Sequence, residues 1–218
     1  MNTYPLWSEK YQPQNLDGCI LEGFASHVQA ALRRFETAPA APNLLLYGIA
    51  GTGKSTIARL LADQAKYDVV WLNGSLFKKD NVSELVNRIS GNNLFQQRKL
   101  VFIDEADGIS QPAQFALRSA IDPRHEASWL LTCNYRKRLI EPIASRFMQI
   151  ECSLPSSDRR NLHVNGIVRR CQQILVSENI LNVPEQEIQA LVNAKYPDIR
   201  QTINELQLRY EFLAAAAA

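Results

Sequence analysis

Gly48-Ile-Ala-Gly-Thr-Gly-Lys54-Ser55 fits the pattern G-x-x-x-x-G-K-[ST], between the apolar run NLLLY at 43–47 and an amphipathic stretch from Lys54. A strand before and a helix after give that pattern its meaning. Glycines let backbone N–H groups turn inward around phosphate oxygens, and the helix that follows adds its positive end. The loop is therefore expected to cradle phosphates through Gly48, Gly51, Thr52 and Gly53, with Thr56 among the contacts. Lys54 would reach the β- and γ-phosphates, and the Ser55 hydroxyl would ligate Mg²⁺. The alternative, a glycine-rich turn that binds nothing, is disfavoured by the flanking strand and helix.

Working outward, Lys54–Lys66 reads as a helix with Ile57, Leu60 and Leu61 on one face. A second strand is expected at VVWLN (69–73), then a helix carrying Val82, Leu85, Val86 and Ile89. LVFI (100–103), a helix over 111–121, WLLTC (129–133) and MQIEC (148–152) complete the series. Strands that alternate with helices and read as continuous apolar runs predict an α/β fold: a five-stranded parallel sheet covered on both faces, with right-handed crossovers.

The pattern changes at LPSSD (154–158), beyond which no strand is expected. Val164, Ile167, Val168, Cys171, Ile174 and Leu175 form one helical stripe. Pro184, with Glu185 and Glu187, suits the first turn of a second helix. Asp198 can cap a third, which carries Ile199, Ile203 and Leu206. The expected division is an α/β domain over 1–154, a hinge near Pro155 and a small helical lid over 155–212. The alanine run at 213–218 reads as an appendage or placeholder.

With 46% apolar residues in 218, a sizeable core is affordable. A formal charge of +2 neither demands nor excludes nucleic acid. Cys19, Cys133, Cys152 and Cys171 lack metal-binding spacing, and His27, His125 and His163 are scattered, so no zinc site is expected. The start MNTYPLWSEK is no signal peptide, and no apolar run reaches membrane-spanning length; a cytoplasmic protein with no membrane partner is expected.

Asp104-Glu105-Ala106-Asp107 follows the third strand. Strand carboxyl ends of an open parallel sheet face the ligand crevice. Asp104 is assigned to the metal through water, Glu105 to the attacking water, and Asp107 to a structural role. Asn134, closing the fourth strand, is either a turn residue or a hydrogen-bond partner for the water or γ-phosphate.

LLLYGIAGTGKST, LVFIDEAD, LLTCNY, IASRF and PDIRQTIN, in that order, resemble the AAA+ ATPases. With WSEKYQP and AQFALRSAID, the set is similar to sliding-clamp loaders: replication factor C small subunits and, closest in style, tailed-phage clamp-loader large subunits. The resemblance implies a Mg²⁺-dependent ATPase whose bound ATP opens and holds a clamp on primer–template DNA, with hydrolysis releasing it. It implies that Asn134 senses the γ-phosphate, and that Arg200 of the lid lies over the nucleotide. Tyr11 and Pro13 would border the adenine pocket, and Arg146 would be an arginine finger acting in a neighbouring subunit.

Partners implied are the clamp, DNA contacted through its backbone, and other loader subunits in a ring or spiral, a pentamer in such assemblies. Leu94 and Phe95 are either a clamp-binding wedge or core residues at a helix end. Lys78, Lys79 and Arg118 are either DNA-phosphate contacts or solvated charge. The resemblance also implies a third, helical collar domain, which is not expected within these residues. Two rivals remain: another DNA-directed AAA+ machine, such as a helicase loader or branch-migration motor, and a non-hydrolysing structural subunit.

Overall fold

The computed structural model describes residues 5–37, 41–64, 67–90, 99–121, 127–152 and 157–216. In chain order these form α1 (Trp7–Lys10), α2 (Ser26–Thr37), β1 (Leu44–Tyr47), α3 (Lys54–Gln64) and β2 (Asp68–Asn73). Then come α4 (Asn81–Ser90), β3 (Lys99–Asp104), α5 (Gln111–Ala120), β4 (Ala127–Cys133), α6 (Glu141–Ala144) and β5 (Met148–Glu151). The last three are α7 (Ser157–Ser177), α8 (Glu185–Lys195) and α9 (Ile199–Ala216). The chain divides into two compact units, one of Ser26–Gly48 with Lys54–Cys152, the other of Met1–Ala25, Ile49–Gly53 and Ser153–Ala218.

The first unit holds the five-stranded parallel sheet, in the order β2-β3-β4-β1-β5. Its central strands are covered on both faces, so their apolar runs are unbroken: Leu44, Leu45 and Leu46 of β1 and Leu100–Ile103 of β3 are at most 1% exposed. On one face Leu45, Val101, Ile103, Trp129 and Leu131 meet α4 and α5 through Leu85, Ile89, Ala113 and Leu117. On the other, α3 packs on β1, β3 and β4, with Ile57, Ala58 and Leu61 buried. The sheet was expected to be covered on both faces, yet Trp71 of β2 is 46% exposed. β2 lies at the sheet edge, where strands are only partly covered.

Sequence pattern did not predict α2, whose Leu32 and Phe35 are fully buried. Pro112 and Pro142 sit in the first turns of α5 and α6, where a missing N–H costs nothing.

In the second unit α7, α8 and α9 close around Ile167, Cys171, Ile174, Leu191, Val192 and Leu206. Pro184 stands just before α8 rather than in its first turn, with Glu185 and Glu187 at the positive helix end. Asp198 caps α9: its Oδ1 accepts from the Gln201 N–H at 2.8 Å. The expected hinge at Pro155 lies outside the described residues.

The compact units depart from a linear split at 154, because the N-terminal segment packs on the helices. Trp7 is buried among α7–α9, and its N–H donates to Gln207 Oε1 at 2.8 Å. Lys10 and Tyr11 both donate to Glu178 Oε1 at 2.6 Å, and the Arg170 guanidinium donates to the Tyr11 carbonyl. No helix among the described residues is long and apolar enough to cross a membrane.

Candidate nucleotide site

In the sheet unit, β1 ends at Tyr47, opposite Cys133 at the end of β4. Gly48 then turns at φ +138, and its N–H still donates to the Cys133 carbonyl at 3.2 Å. Lys54 opens α3 with only 6% of its surface exposed. Burial pulls its ammonium below the usual lysine range, opposed by Cys152, Cys133, Asp107 and Asp104. Burial pushes both thiols up to about 12, so they are neutral near pH 7 and the two carboxylates supply the opposing charge.

The Ser55 hydroxyl donates to Asp104 Oδ1 at 2.7 Å, joining the start of α3 to the end of β3. The Thr132 hydroxyl donates to the same oxygen at 2.5 Å. Arg59, one turn along α3, lies 3.6 Å from Asp104 Oδ2 but is 59% exposed, so the pairing is weak. Hard oxygens on a serine and an aspartate fit a magnesium ion that takes its remaining ligands from phosphate and water.

Glu105 adopts the left-handed region, φ 56 and ψ 46, at a cost of about 1–2 kcal/mol for a non-glycine residue. Its N–H donates to Thr132 Oγ1 at 3.0 Å, and its carboxylate accepts from Ser75 Oγ at 3.2 Å. Gly74 admits this turn, since a Cβ there would lie 2.3 Å from the Glu105 carbonyl oxygen. Asp107 accepts from the N–H groups of Asn134 and Tyr135 at 3.2 and 3.1 Å, fixing the strand end that carries Asn134.

Lys54, Ser55, Asp104 and Glu105 thus converge on the carboxyl end of the sheet. Thr132, Ser75 and Arg59 join them without having been predicted. Thr132 carried a faint signal, as the polar residue inside an apolar strand run two places before Asn134.

Arg146 lies elsewhere on this unit, exposed in the turn after α6, with its guanidinium donating to the Pro142 carbonyl. No hydrogen bond or ion pair among the described residues ties it to the acidic cluster. Lys78, Lys79 and Arg118 are exposed on the α4 approach and α5. Leu94 and Phe95 lie outside the described residues.

The second unit carries the loop apex, Ile49–Gly53. Gly51 and Gly53 hold φ +78 and +84, and the Thr52 hydroxyl donates to the Ile49 carbonyl at 2.9 Å. The Gly51 carbonyl accepts from the Ile199 N–H at 3.0 Å, so the start of α9 grips the apex directly. Arg200, the next residue, is exposed. Tyr11 is half-buried, with its hydroxyl committed to Glu178; Pro13 is half-buried beside Gly18.

A strand–glycine loop–helix unit with two acids at the end of β3, one strand removed from β1, defines a P-loop nucleotide-binding module. The model of the ATPase family associated with various cellular activities (AAA) matches residues 44–154, and the chain belongs to that family. Residues 158–211 match the AAA+ ATPase lid domain of sliding-clamp-loader large subunits.

Among relatives, the sliding-clamp-loader large subunit of Enterobacteria phage T4 is 30% identical, over 91% of this chain and 62% of the relative. Replication factor C small subunit 2 of Pyrobaculum aerophilum is 31% identical, over 93% and 63%. Replication factor C subunit 5 of Mus musculus is 31% identical, over 92% and 59%. The chain therefore spans about three fifths of these relatives' length. The Thermotoga maritima RuvB Holliday junction branch migration motor superposes with a TM-score of 0.73 at 18% identity, over 95% of this chain and 68% of that one, a likeness of fold alone.

Proposed function

We propose that this chain is an ATPase subunit of a sliding-clamp loader. The observation that carries the reading is the match of the helical unit to clamp-loader lids, because the sheet unit alone would suit any AAA machine. Relatives near 30% identity over nine tenths of the chain support it, all named as clamp-loader or replication factor C subunits.

In this reading Lys54 and the loop N–H groups hold the phosphates, while Ser55 and Asp104, the latter through water, hold magnesium. The ion, when bound, offsets phosphate charge. Glu105 orients the attacking water, and the Asn134 amide reads the γ-phosphate. Arg146 acts on the neighbouring subunit's phosphate, which agrees with its exposure. Arg200 couples lid closure to bound phosphate, helped by the Ile199–Gly51 hydrogen bond that already joins lid and loop. Binding would favour a closed state that opens a clamp and tracks primer–template DNA through Lys78, Lys79 and Arg118, with hydrolysis returning the open state. Leu94 and Phe95 would anchor the clamp.

The test is ATP-dependent loading of a sliding clamp onto primed DNA by the full-length protein with its partner subunits. Loading that is lost in Lys54→Ala, with clamp capture lost in Leu94→Ala/Phe95→Ala, supports the reading. ATP hydrolysis without clamp capture by the unaltered protein would instead favour another DNA-directed machine. Failure to bind ATP with magnesium would leave a structural subunit.

A further inference from the structure

Thr132 has no part in the catalytic set read from sequence, yet it sits at its centre. It is the penultimate residue of β4, 1% exposed, inside a strand whose other residues are almost all apolar. Its hydroxyl donates to Asp104 Oδ1 at 2.5 Å and accepts from the Glu105 N–H at 3.0 Å. The polarity is fixed: a backbone N–H can only donate, so the single hydroxyl proton must point at the carboxylate. Asp104 Oδ1 then holds two hydroxyl donors, from Thr132 and Ser55, which fixes the carboxylate's rotation about its own bond. The same hydroxyl pins the backbone of a glutamate held at φ 56, a conformation that non-glycine residues seldom adopt.

We propose that Thr132 is a positioning residue that ties the carboxylate of Asp104 and the backbone of Glu105 into one unit. It thereby couples magnesium binding at Ser55 and Asp104 to the placement of the water-orienting carboxylate. The proposal rests on the nucleotide reading above. The sheet register supports it: Ile103, just before Asp104, pairs with Leu131, just before Thr132, so the two polar residues are brought level at the strand ends. Without the hydroxyl, Asp104 loses a short charge-assisted bond and the Glu105 N–H loses its acceptor.

The test compares wild type with Thr132→Val, which keeps the branched strand shape but not the hydroxyl, and Thr132→Ser, which keeps the hydroxyl. A fluorescent ADP analogue is titrated into the full-length protein in EDTA and in magnesium. The proposal expects Thr132→Val to bind as wild type in EDTA, within about twofold, and to lose about tenfold or more of the magnesium-dependent gain. Thr132→Ser should recover most of that gain, and kcat should follow the same order at saturating nucleotide. A full magnesium gain in Thr132→Val, or equal loss in Thr132→Ser, overturns the proposal. Unfolding of Thr132→Val and Thr132→Ala alike would make the hydroxyl purely structural and overturn it too. A wild-type protein with no magnesium-dependent gain would instead remove the nucleotide reading, and the proposal with it.

Discussion

Gly51→Ala should weaken the grip between the glycine loop and α9 by an amount that can be worked out. Gly51 holds φ +78, a region that costs an alanine about 1–2 kcal/mol. A Cβ there would lie 2.0 Å from Asp198 Oδ1 and 2.2 Å from its Cγ, so the carboxylate must swing away. That movement breaks the Asp198 cap on the Gln201 N–H, worth about 1 kcal/mol. It also strains the bond from the Ile199 N–H to the Gly51 carbonyl, worth about 1 kcal/mol net. The sum is about 3–4 kcal/mol, read by urea unfolding of the full-length protein. Alanine at Asp198 removes the obstruction and the cap beforehand. In that background Gly51→Ala should cost only the backbone term, leaving a coupling of about 2 kcal/mol in the double-mutant cycle. An equal cost of Gly51→Ala in both backgrounds would refute the reasoning, because the carboxylate would then not be what the new methyl meets.

Three more expectations can be checked alongside it. His163 is 1% exposed, and burial pulls its pKa down to about 4, with Glu22 opposing. Its folded value is depressed, so its stabilising contribution is present above the unfolded pKa of about 6.5 and lost as pH falls towards 4, about 1.4 kcal/mol per pH unit. Wild type should lose about 2 kcal/mol more than His163→Leu between pH 6.5 and 5 in chemical unfolding; parallel curves would exclude the effect. Burial pushes the thiols of Cys133, Cys152 and Cys171 up to about 12, so a thiol reagent should react readily in the native protein only with Cys19. Rapid modification of a second thiol would contradict this burial. Buried Gln114 donates to the Ile109 and Arg138 carbonyls at 2.9 and 3.0 Å and accepts from the Ile140 N–H at 2.8 Å. Gln114→Ala leaves three backbone groups short of a partner and should cost about 3 kcal/mol, against less than about 1 if water replaces the amide.

The placement of the glycine loop, the acids after β3 and Asn134 after β4 at strand ends was legible because each is a short local pattern bounded by an apolar run. The sheet was legible for the same reason, its central strands being unbroken apolar runs. Thr132 and Ser75 were not, since their roles depend on strand register and on a turn after β2 rather than on neighbours in sequence. The docking of Trp7 on Gln207 joins residues 200 positions apart, and nothing local announces it. That contact explains why the N-terminal segment packs with the lid helices although it precedes the sheet in the chain. α2 escaped notice because its apolar face is short and its mean composition polar, while the exposure of Trp71 follows from an edge position that only strand order reveals.

The central claim is a shared site, with Glu105 serving its own nucleotide and Arg146 a neighbour's. Mixing two variants of the full-length protein, with partner subunits, clamp and primed DNA, tests it most directly. Glu105→Gln keeps the arginine but not the water-orienting carboxylate; Arg146→Ala keeps the carboxylate but not the arginine. The account predicts that neither hydrolyses ATP alone and that the mixture regains activity. Normal hydrolysis by Arg146→Ala alone would contradict it, leaving Arg146 as a surface residue whose guanidinium donates to the Pro142 carbonyl.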